Sequence, residues 1–225
     1  MIKTVFIDID NTLLDFIKCA KDSIKSACEE TGITYSEKIC DVFFPINDSL
    51  WSRVEKGEIK RQYVYDNRWN MIFDYLGITY DGIDFEKHFF SHLHISSEKV
   101  EYAKEILEYL SKKYTVCAAS NAMLDQQVTR LTNAGLLGFF DNVFVSEDIG
   151  FPKPQKEFFD VCFERLGISD VDECIMIGDS ISADIQLGKN YGMKTIWFDR
   201  KKGDIKPGIE PTYTVFSLKE IENIL

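Results

Sequence analysis

Residues 5–14 of the chain read VFIDIDNTLL, an apolar run that contains two aspartates. Without Asp8 and Asp10 the run would be typical of a buried strand. An ionised carboxylate in such surroundings is costly unless it is paired or bound to a cation. We therefore predict that a strand, Ile2–Asp8, stops here and that both carboxylates serve a site at its end.

The rest of the chain repeats this pattern of apolar strands. The later strands are predicted at Tyr114–Ser120, Asn142–Ser146, Glu173–Asp179, Lys194–Asp199 and, more weakly, Thr212–Phe216. Helical patterns accompany them, predicted at Val100–Lys113, Leu124–Ala134, Lys156–Leu166 and Ser182–Tyr191. Strands that alternate with helices over short connections predict an α/β fold with a parallel sheet covered on both faces.

One long segment interrupts the alternation. Between Phe16 and about Ser97 the patterns are helical, with helices predicted at Ile17–Thr31, Asp48–Lys56 and Lys60–Leu76. A segment of about 80 residues is far too long for an ordinary loop. We therefore predict an all-helical domain, residues 16–96, inserted into an α/β domain formed by residues 1–15 and 97–225.

Composition argues against several classes of partner. The 37 acidic and 26 basic residues give a formal charge of -11, which disfavours binding to nucleic acid polymers and anionic membranes. No apolar stretch approaches the roughly 20 residues of a membrane helix, and the N-terminus does not resemble a secretory signal. The six cysteines have no C-x-x-C spacing. We expect a cytoplasmic monomer or homodimer with reduced cysteines.

Polar residues follow four of the predicted strands. They are Asp8, Asp10 and Thr12, then Ser120 and Asn121, then Lys153, and finally Asp179 and Asp184. Apart from the pair of Asp8 and Asp10, each one alone is typical of a helix cap or a solvated loop. Because ligands bind at the carboxyl ends of parallel strands, the whole set favours a functional site.

This set suits phosphoryl transfer. A carboxylate can attack phosphorus and form an aspartyl phosphate, provided that a cation such as Mg²⁺ screens the two anions. Asp8 and Asp179 can supply oxygen ligands, and a nearby ammonium can neutralise the transferring group. A second carboxylic acid can protonate the leaving oxygen. The sequence contains neither a G-x-x-x-x-G-K-[ST] loop nor a G-x-G-x-x-G fingerprint.

The same residues resemble the four motifs of the haloacid dehalogenase-like superfamily. The motifs are Asp8-x-Asp10-x-Thr12, Ser120, Lys153 followed by proline, and Gly178-Asp179 with Asp184. The resemblance implies a Rossmann-like core closed by a mobile helical cap, as in the first subclass of that superfamily. It also implies Mg²⁺ as the cofactor and a small phosphate ester as the substrate.

The resemblance further implies a role for each residue. Asp8 would be the nucleophile and a metal ligand, and Asp10 would be the general acid/base and bind the metal through its backbone carbonyl. Thr12 would support this loop, Ser120 and the Asn121 backbone would hold the phosphate, and Lys153 would neutralise its charge. Asp179 would be a metal ligand, and Asp184 would orient metal-bound water.

Two features narrow the activity. Dehalogenases of the superfamily lack an acid at the position of Asp10, because a halide leaves without a proton, so Asp10 favours a phosphatase or phosphomutase over a dehalogenase. Residues 50–77 resemble the cap of the pyrimidine 5'-nucleotidase family. Two departures are visible: this chain has Ser120-Asn121-Ala122 where the family usually has Thr-Asn-Gly, and Arg68-Trp69 where it usually has Arg-Phe. We expect a pyrimidine nucleoside 5'-monophosphate as the substrate, with Arg61 or Arg68 as possible contacts.

Other readings remain open at this point. Within the superfamily, a sugar-phosphate phosphatase or phosphomutase and a phosphoglycolate phosphatase are the alternatives. A signalling receiver domain also forms an aspartyl phosphate, but its phosphorylated aspartate follows a middle strand, whereas the corresponding strand here ends in Ser120. An inactive binding protein on the same fold would not need every motif intact.

Overall fold

The computed structural model describes residues 1–200, 202–203 and 208–225. These residues divide into two compact units, one formed by Met1–Phe16 with Ser97–Leu225 and the other by Ile17–Ser96. The five other residues, 201 and 204–207, belong to the stretch that the sequence assigned to the α/β domain. That the two units are a catalytic domain and its cap stays a prediction.

The first unit is built on a parallel sheet, so the predicted α/β class is confirmed. Its strands in the described residues are β1 (Thr4–Ile7), β2 (Thr115–Ser120), β3 (Asn142–Val145), β4 (Cys174–Gly178), β5 (Lys194–Phe198) and β6 (Tyr213–Val215). The strand order is β3-β2-β1-β4-β5-β6. The chain therefore changes direction across the sheet between β1 and β4, which is where open α/β sheets form a ligand crevice.

Side chains of the central strands pack alternately on the two faces of this sheet. In β1, Val5 and Ile7 join one apolar cluster while Phe6 joins another. The neighbouring strands divide in the same way, because successive side chains of a strand point to opposite faces. Both faces are buried, which explains why these strands read as nearly continuous apolar runs.

Short helices connect the strands of the first unit. They are α5 (Ala103–Leu110), α6 (Leu124–Asn133), α7 (Ser146–Ile149), α8 (Glu157–Leu166) and α9 (Gln186–Tyr191), numbered after the four helices of the second unit. A π-helical turn, Ile181–Ile185, precedes α9, so the predicted helix 182–191 is regular only in its second half. The predicted helix 100–113 is also shorter, because Tyr102 has left-handed backbone angles just before α5.

The second unit is helical throughout. It contains α1 (Phe16–Thr31, whose first residue belongs to the other unit), α2 (Glu37–Glu55), α3 (Arg61–Leu76) and α4 (Gly82–Ile95). Its core is aromatic: the Trp69 ring lies 4.4 Å from that of Phe85 and 5.2 Å from that of Phe89, centroid to centroid.

Two features of this unit differ from the prediction. Helix α2 begins at Glu37 rather than Asp48, and it continues through Pro45, a residue that normally marks a helix end. Helix α4 was not predicted, although Asp81 caps it and Phe85, Phe89 and Leu93 recur with helical spacing on its buried face. Among the described residues, no helix is both long and apolar enough to cross a membrane.

Candidate active site

Asp8 lies at the first position after β1 and is buried. Its backbone N–H donates to the carbonyl of Ile177 in β4 at 2.9 Å. Thr12 Oγ1 donates to Asp8 Oδ2 at 3.2 Å and accepts from the backbone N–H of Asp179 at 3.1 Å. Thr12 therefore joins the loop after β1 to the loop after β4, the two strands that flank the change of direction.

The turn that returns Thr12 to Asp8 needs an unusual backbone conformation. Asn11 has a φ of 61°, in the left-handed region. Asparagine tolerates this region better than other residues that carry a Cβ. The identity of Asn11 is therefore explained by the shape of the loop.

Lys153 occupies the centre of a buried ion-pair cluster. Its Nζ lies 2.7 Å from Asp8 Oδ1, 2.6 Å from Asp184 Oδ1 and 2.7 Å from the carbonyl oxygen of Ala119. An ammonium has three donors, and these three acceptors can take all of them. Lys153 is only 2% exposed, so it is fixed between two carboxylates rather than solvated in a loop.

The side chain of Asn121 holds the backbone of Lys153. Asn121 Nδ2 donates to the Lys153 carbonyl at 3.0 Å, and the Lys153 N–H donates to Asn121 Oδ1 at 2.8 Å. The sequence assigned a role only to the backbone of Asn121. Its amide side chain connects the loop after β2 to the lysine, a contact that sequence reasoning missed.

Asp184 reaches the site because Gly178 has no side chain. A Cβ on Gly178 would lie 2.1 Å from Asp184 Oδ2, closer than any real contact. Asp184 Oδ2 accepts from the backbone N–H of Ser180 at 3.1 Å, while its other oxygen binds Lys153. Both oxygens of this fully buried carboxylate are therefore engaged by the protein.

Three carboxylates of this site could hold a metal ion. Oxygens of Asp8, Asp179 and Asp184 lie within 4.8 Å of one another. Oxygen ligands of this kind suit Mg²⁺. Asp8 and Asp184 share the Lys153 ammonium, and Asp179 adds a third carboxyl group to the cluster, so a divalent cation would balance its charge. The residues present therefore fit the predicted metal.

Burial affects both charged partners at the centre of the site. It raises the pKa of Asp8 above its ordinary value, and the positive charge of Lys153 only partly opposes this. Burial alone would lower the pKa of Lys153, but the carboxylates of Asp184 and Asp8 outweigh it and raise that pKa. Lys153 is therefore an ammonium, and further positive charge near Asp8 would favour its carboxylate form.

Asp10 is held by two residues of α6 that sequence reasoning missed. Its Oδ1 accepts from Arg130 Nη1 at 2.6 Å and its Oδ2 accepts from Gln127 Nε2 at 2.7 Å. Gln127 Nε2 also lies 2.9 Å from Ser120 Oγ. The sequence shows only that two polar residues stand three positions apart on one predicted helix, and their burial became evident in the structure.

The structure thus brings the predicted residues together in two connected groups of the first unit. The first group contains Asp8, Thr12, Lys153, Asp179 and Asp184, and Asn121 joins it through Lys153. The second group contains Asp10 and Ser120, which are connected by Gln127. Arg68, a possible substrate contact, is instead buried in the second unit. Its guanidinium binds Glu86 at 2.6 Å and Asn47 at 2.8 Å, which gives it a structural role.

A family comparison agrees with this fold and site. Residues 5–198 match the model of the haloacid dehalogenase-like hydrolases. The chain therefore belongs to this family of hydrolases, as the four motifs indicated.

Several known proteins are similar over nearly the whole chain. The putative HAD-hydrolase YfnB of Bacillus subtilis is 30% identical over 99% of this chain and 95% of its own length. A crystal structure of YfnB bound to magnesium covers the whole chain and 98% of its own, with a TM-score of 0.94. The pyrimidine 5'-nucleotidase PynA of Streptococcus pneumoniae is 29% identical over 99% of this chain and 94% of its own length. The pyrimidine 5'-nucleotidase YjjG of Escherichia coli is 26% identical, with coverages of 98% and 96%.

Proposed function

We propose that the protein is a Mg²⁺-dependent phosphatase that hydrolyses a small phosphate monoester through an aspartyl phosphate on Asp8. The observation that carries this proposal is the buried Asp8 carboxylate, 2.7 Å from the Lys153 ammonium and clustered with two further carboxylates. Such a site combines a nucleophile, an oxygen-rich metal site and a fixed positive charge.

The first half of the reaction would use Asp8 and Asp10. An oxygen of Asp8 attacks phosphorus and the bond between phosphorus and the ester oxygen breaks. Asp10 gives its proton to the leaving oxygen, which departs as an alcohol. Ser120 and the Asn121 backbone hold the phosphoryl oxygens, and Lys153 balances their charge.

The second half would release phosphate. Asp10, now a carboxylate, takes a proton from water as the water oxygen attacks phosphorus. The bond between phosphorus and Asp8 breaks, which restores both carboxyl groups to their starting forms. Asp8, Asp179 and the backbone carbonyl of Asp10 would hold Mg²⁺, with Asp184 beside them, and the ion would reduce repulsion between Asp8 and the phosphate.

We further propose that the substrate is a pyrimidine nucleoside 5'-monophosphate. The groups of the first unit suit any phosphate monoester, so they do not determine which alcohol the ester carries. The proposal is supported by the names of two relatives, PynA and YjjG, and by the resemblance of residues 50–77 to a nucleotidase cap. In this view the helical unit is the cap that selects the substrate.

A substrate comparison tests both proposals. We would measure kcat/KM with Mg²⁺ for UMP, dTMP, AMP, phosphoglycolate and glucose 1-phosphate. UMP and dTMP are expected to exceed AMP by at least about tenfold, which requires only about 1.4 kcal/mol of differential transition-state binding. If phosphoglycolate or the sugar phosphate were best, the nucleotidase proposal would be wrong and the phosphatase proposal would stand. Halide release from a 2-haloacid, without phosphate release, would contradict both.

A further inference from the structure

The contacts of Asp10 come from the buried side of α6. Arg130 is 1% exposed and Gln127 is fully buried, whereas the side chain of Asp10 is 28% exposed. Arg130 Nη1 also donates to Gln127 Oε1 at 3.2 Å. The two α6 residues therefore hold each other as well as Asp10.

This arrangement restricts how the carboxyl group of Asp10 can turn. Each of its oxygens accepts one hydrogen bond, so rotation about the side chain would break at least one of them. A carboxylate has about four lone-pair sites, and the two donors leave others available on the exposed side. A buried guanidinium also needs a charged partner, which makes the pairing of Arg130 with Asp10 difficult to exchange for water.

Gln127 adds a second connection. Its Nε2 lies within hydrogen-bond distance of both Asp10 Oδ2 and Ser120 Oγ. The hydroxyl of Ser120 also accepts from the backbone N–H of Ala122 at 3.2 Å. One amide group therefore sets the position of the proposed acid relative to the proposed phosphate-binding hydroxyl.

We propose that Arg130 and Gln127 are positioning residues for the reaction, with Arg130 fixing Asp10 directly and Gln127 fixing Asp10 and Ser120 together. This inference rests on the proposed phosphatase function. Neither residue needs to touch the substrate.

The two roles differ in their consequences. Loss of Arg130 should impair proton transfer to the leaving group, which matters for an alkyl phosphate and little for p-nitrophenyl phosphate, whose leaving group needs no proton. Loss of Gln127 should do the same and also raise KM for both esters, because Ser120 loses a hydrogen-bond donor.

The test is the ratio of kcat/KM for p-nitrophenyl phosphate to that for ethyl phosphate. General acids contribute about 10²- to 10⁴-fold, so Arg130→Met and Gln127→Met are each expected to raise this ratio at least about tenfold. Arg130→Lys should restore part of the loss. In an Asp10→Asn background, Arg130→Met should leave the ratio unchanged, since the group that it positions is gone.

Gln126→Met is the matched control. Gln126 is also buried on α6, but in the described part of the chain the hydrogen bonds to Asp10 come from Gln127 and Arg130. This variant should keep the wild-type ratio. Circular dichroism and thermal melts would establish that each variant folds. If Arg130→Met does not fold, the separate variants Arg130→Lys and Gln127→Met provide the test.

The outcomes separate the inference from the proposed function. Equal losses on both esters in the Arg130 and Gln127 variants would overturn the positioning role, while wild-type turnover would still support a phosphatase. Variants that lose activity on neither ester would overturn it as well. Wild-type protein that releases phosphate from neither ester would instead contradict the proposed function itself.

Discussion

At the scale of single residues, the site depends on charges placed where water cannot screen them. Asp8 and Lys153 are both buried, and their side-chain atoms lie 2.7 Å apart. Desolvation makes each charge costly unless the other is present. Changes to one residue here should therefore affect chemistry far more than the same change on the surface.

Asp8→Asn should reduce turnover to below about a thousandth of the wild-type value, because an amide is a poor nucleophile. The measurement is kcat on the best phosphate ester, with folding checked by circular dichroism. A variant that kept a tenth of the wild-type turnover would contradict the covalent mechanism.

Gly178→Ala should displace Asp184 from the site, because the new Cβ would lie 2.1 Å from its Oδ2. Overpacking of this kind costs about 1–3 kcal/mol of unfolding free energy, and we expect loss of turnover as well. The control is Gly138→Ala, since a Cβ there meets nothing within 4 Å. Urea denaturation and turnover of both variants provide the comparison, and equal behaviour would show that the close approach of Gly178 is unimportant.

At the scale of elements, polar groups connect helices as well as strands. In the second unit, Arg68 of α3 binds Glu86 of α4 and Asn47 of α2 within an aromatic core. Its guanidinium also lies 4.9 Å from the centroid of Phe89. Three helices therefore share one buried cation.

Arg68→Met should destabilise the protein by about 3–5 kcal/mol, because Glu86 would remain buried without its partner. The double variant Arg68→Met/Glu86→Leu should recover much of this loss, since no unpaired charge is left. Lys87→Met provides the comparison with an exposed pair: Lys87 lies 3.3 Å from Asp84 on the surface of α4, and such pairs contribute about 0–1 kcal/mol. Urea denaturation measures all three, and equal effects of Arg68→Met and Lys87→Met would contradict the prediction.

At the scale of the whole molecule, the acidic excess of the chain has a local counterpart in the site. The formal charge is -11, and oxygens of three carboxyl groups in the loops after β1 and β4 lie within 4.8 Å of one another, two of them paired with Lys153. A bound divalent cation would relieve this local repulsion. It should therefore affect stability as well as turnover.

Chelation with EDTA should abolish turnover, and added Mg²⁺ should restore it. Mg²⁺ at 100 times its dissociation constant should stabilise the fold by about 2.7 kcal/mol, visible as a higher Tm. Trp197 Nε1 donates to the carbonyl of Asp179 at 2.9 Å, so tryptophan fluorescence should also respond. Trp197→Phe should remove the fluorescence response and keep the rise in Tm, whereas Asp179→Asn should remove both the fluorescence response and the rise in Tm. Full turnover in excess EDTA would contradict the metal assignment.

The sequence by itself was sufficient for the α/β fold and for the set of residues at the strand ends. Apolar runs and helical spacing are local patterns, and parallel strands always bring their carboxyl ends to one edge. It did not yield α4, although Phe85, Phe89 and Leu93 have helical spacing, nor the first half of α2, which contains Pro45.

Only the tertiary structure decided which side chains contact one another. Gln127 and Arg130 are separated from Asp10 by 117 and 120 residues, and Lys153 from Asp184 by 31. The two hydrogen bonds between Asn121 and Lys153, and the space that Gly178 leaves for Asp184, depend on how closely separate loops approach one another. Residue type and spacing do not carry such distances, because they result from how strands and helices pack after the chain has folded.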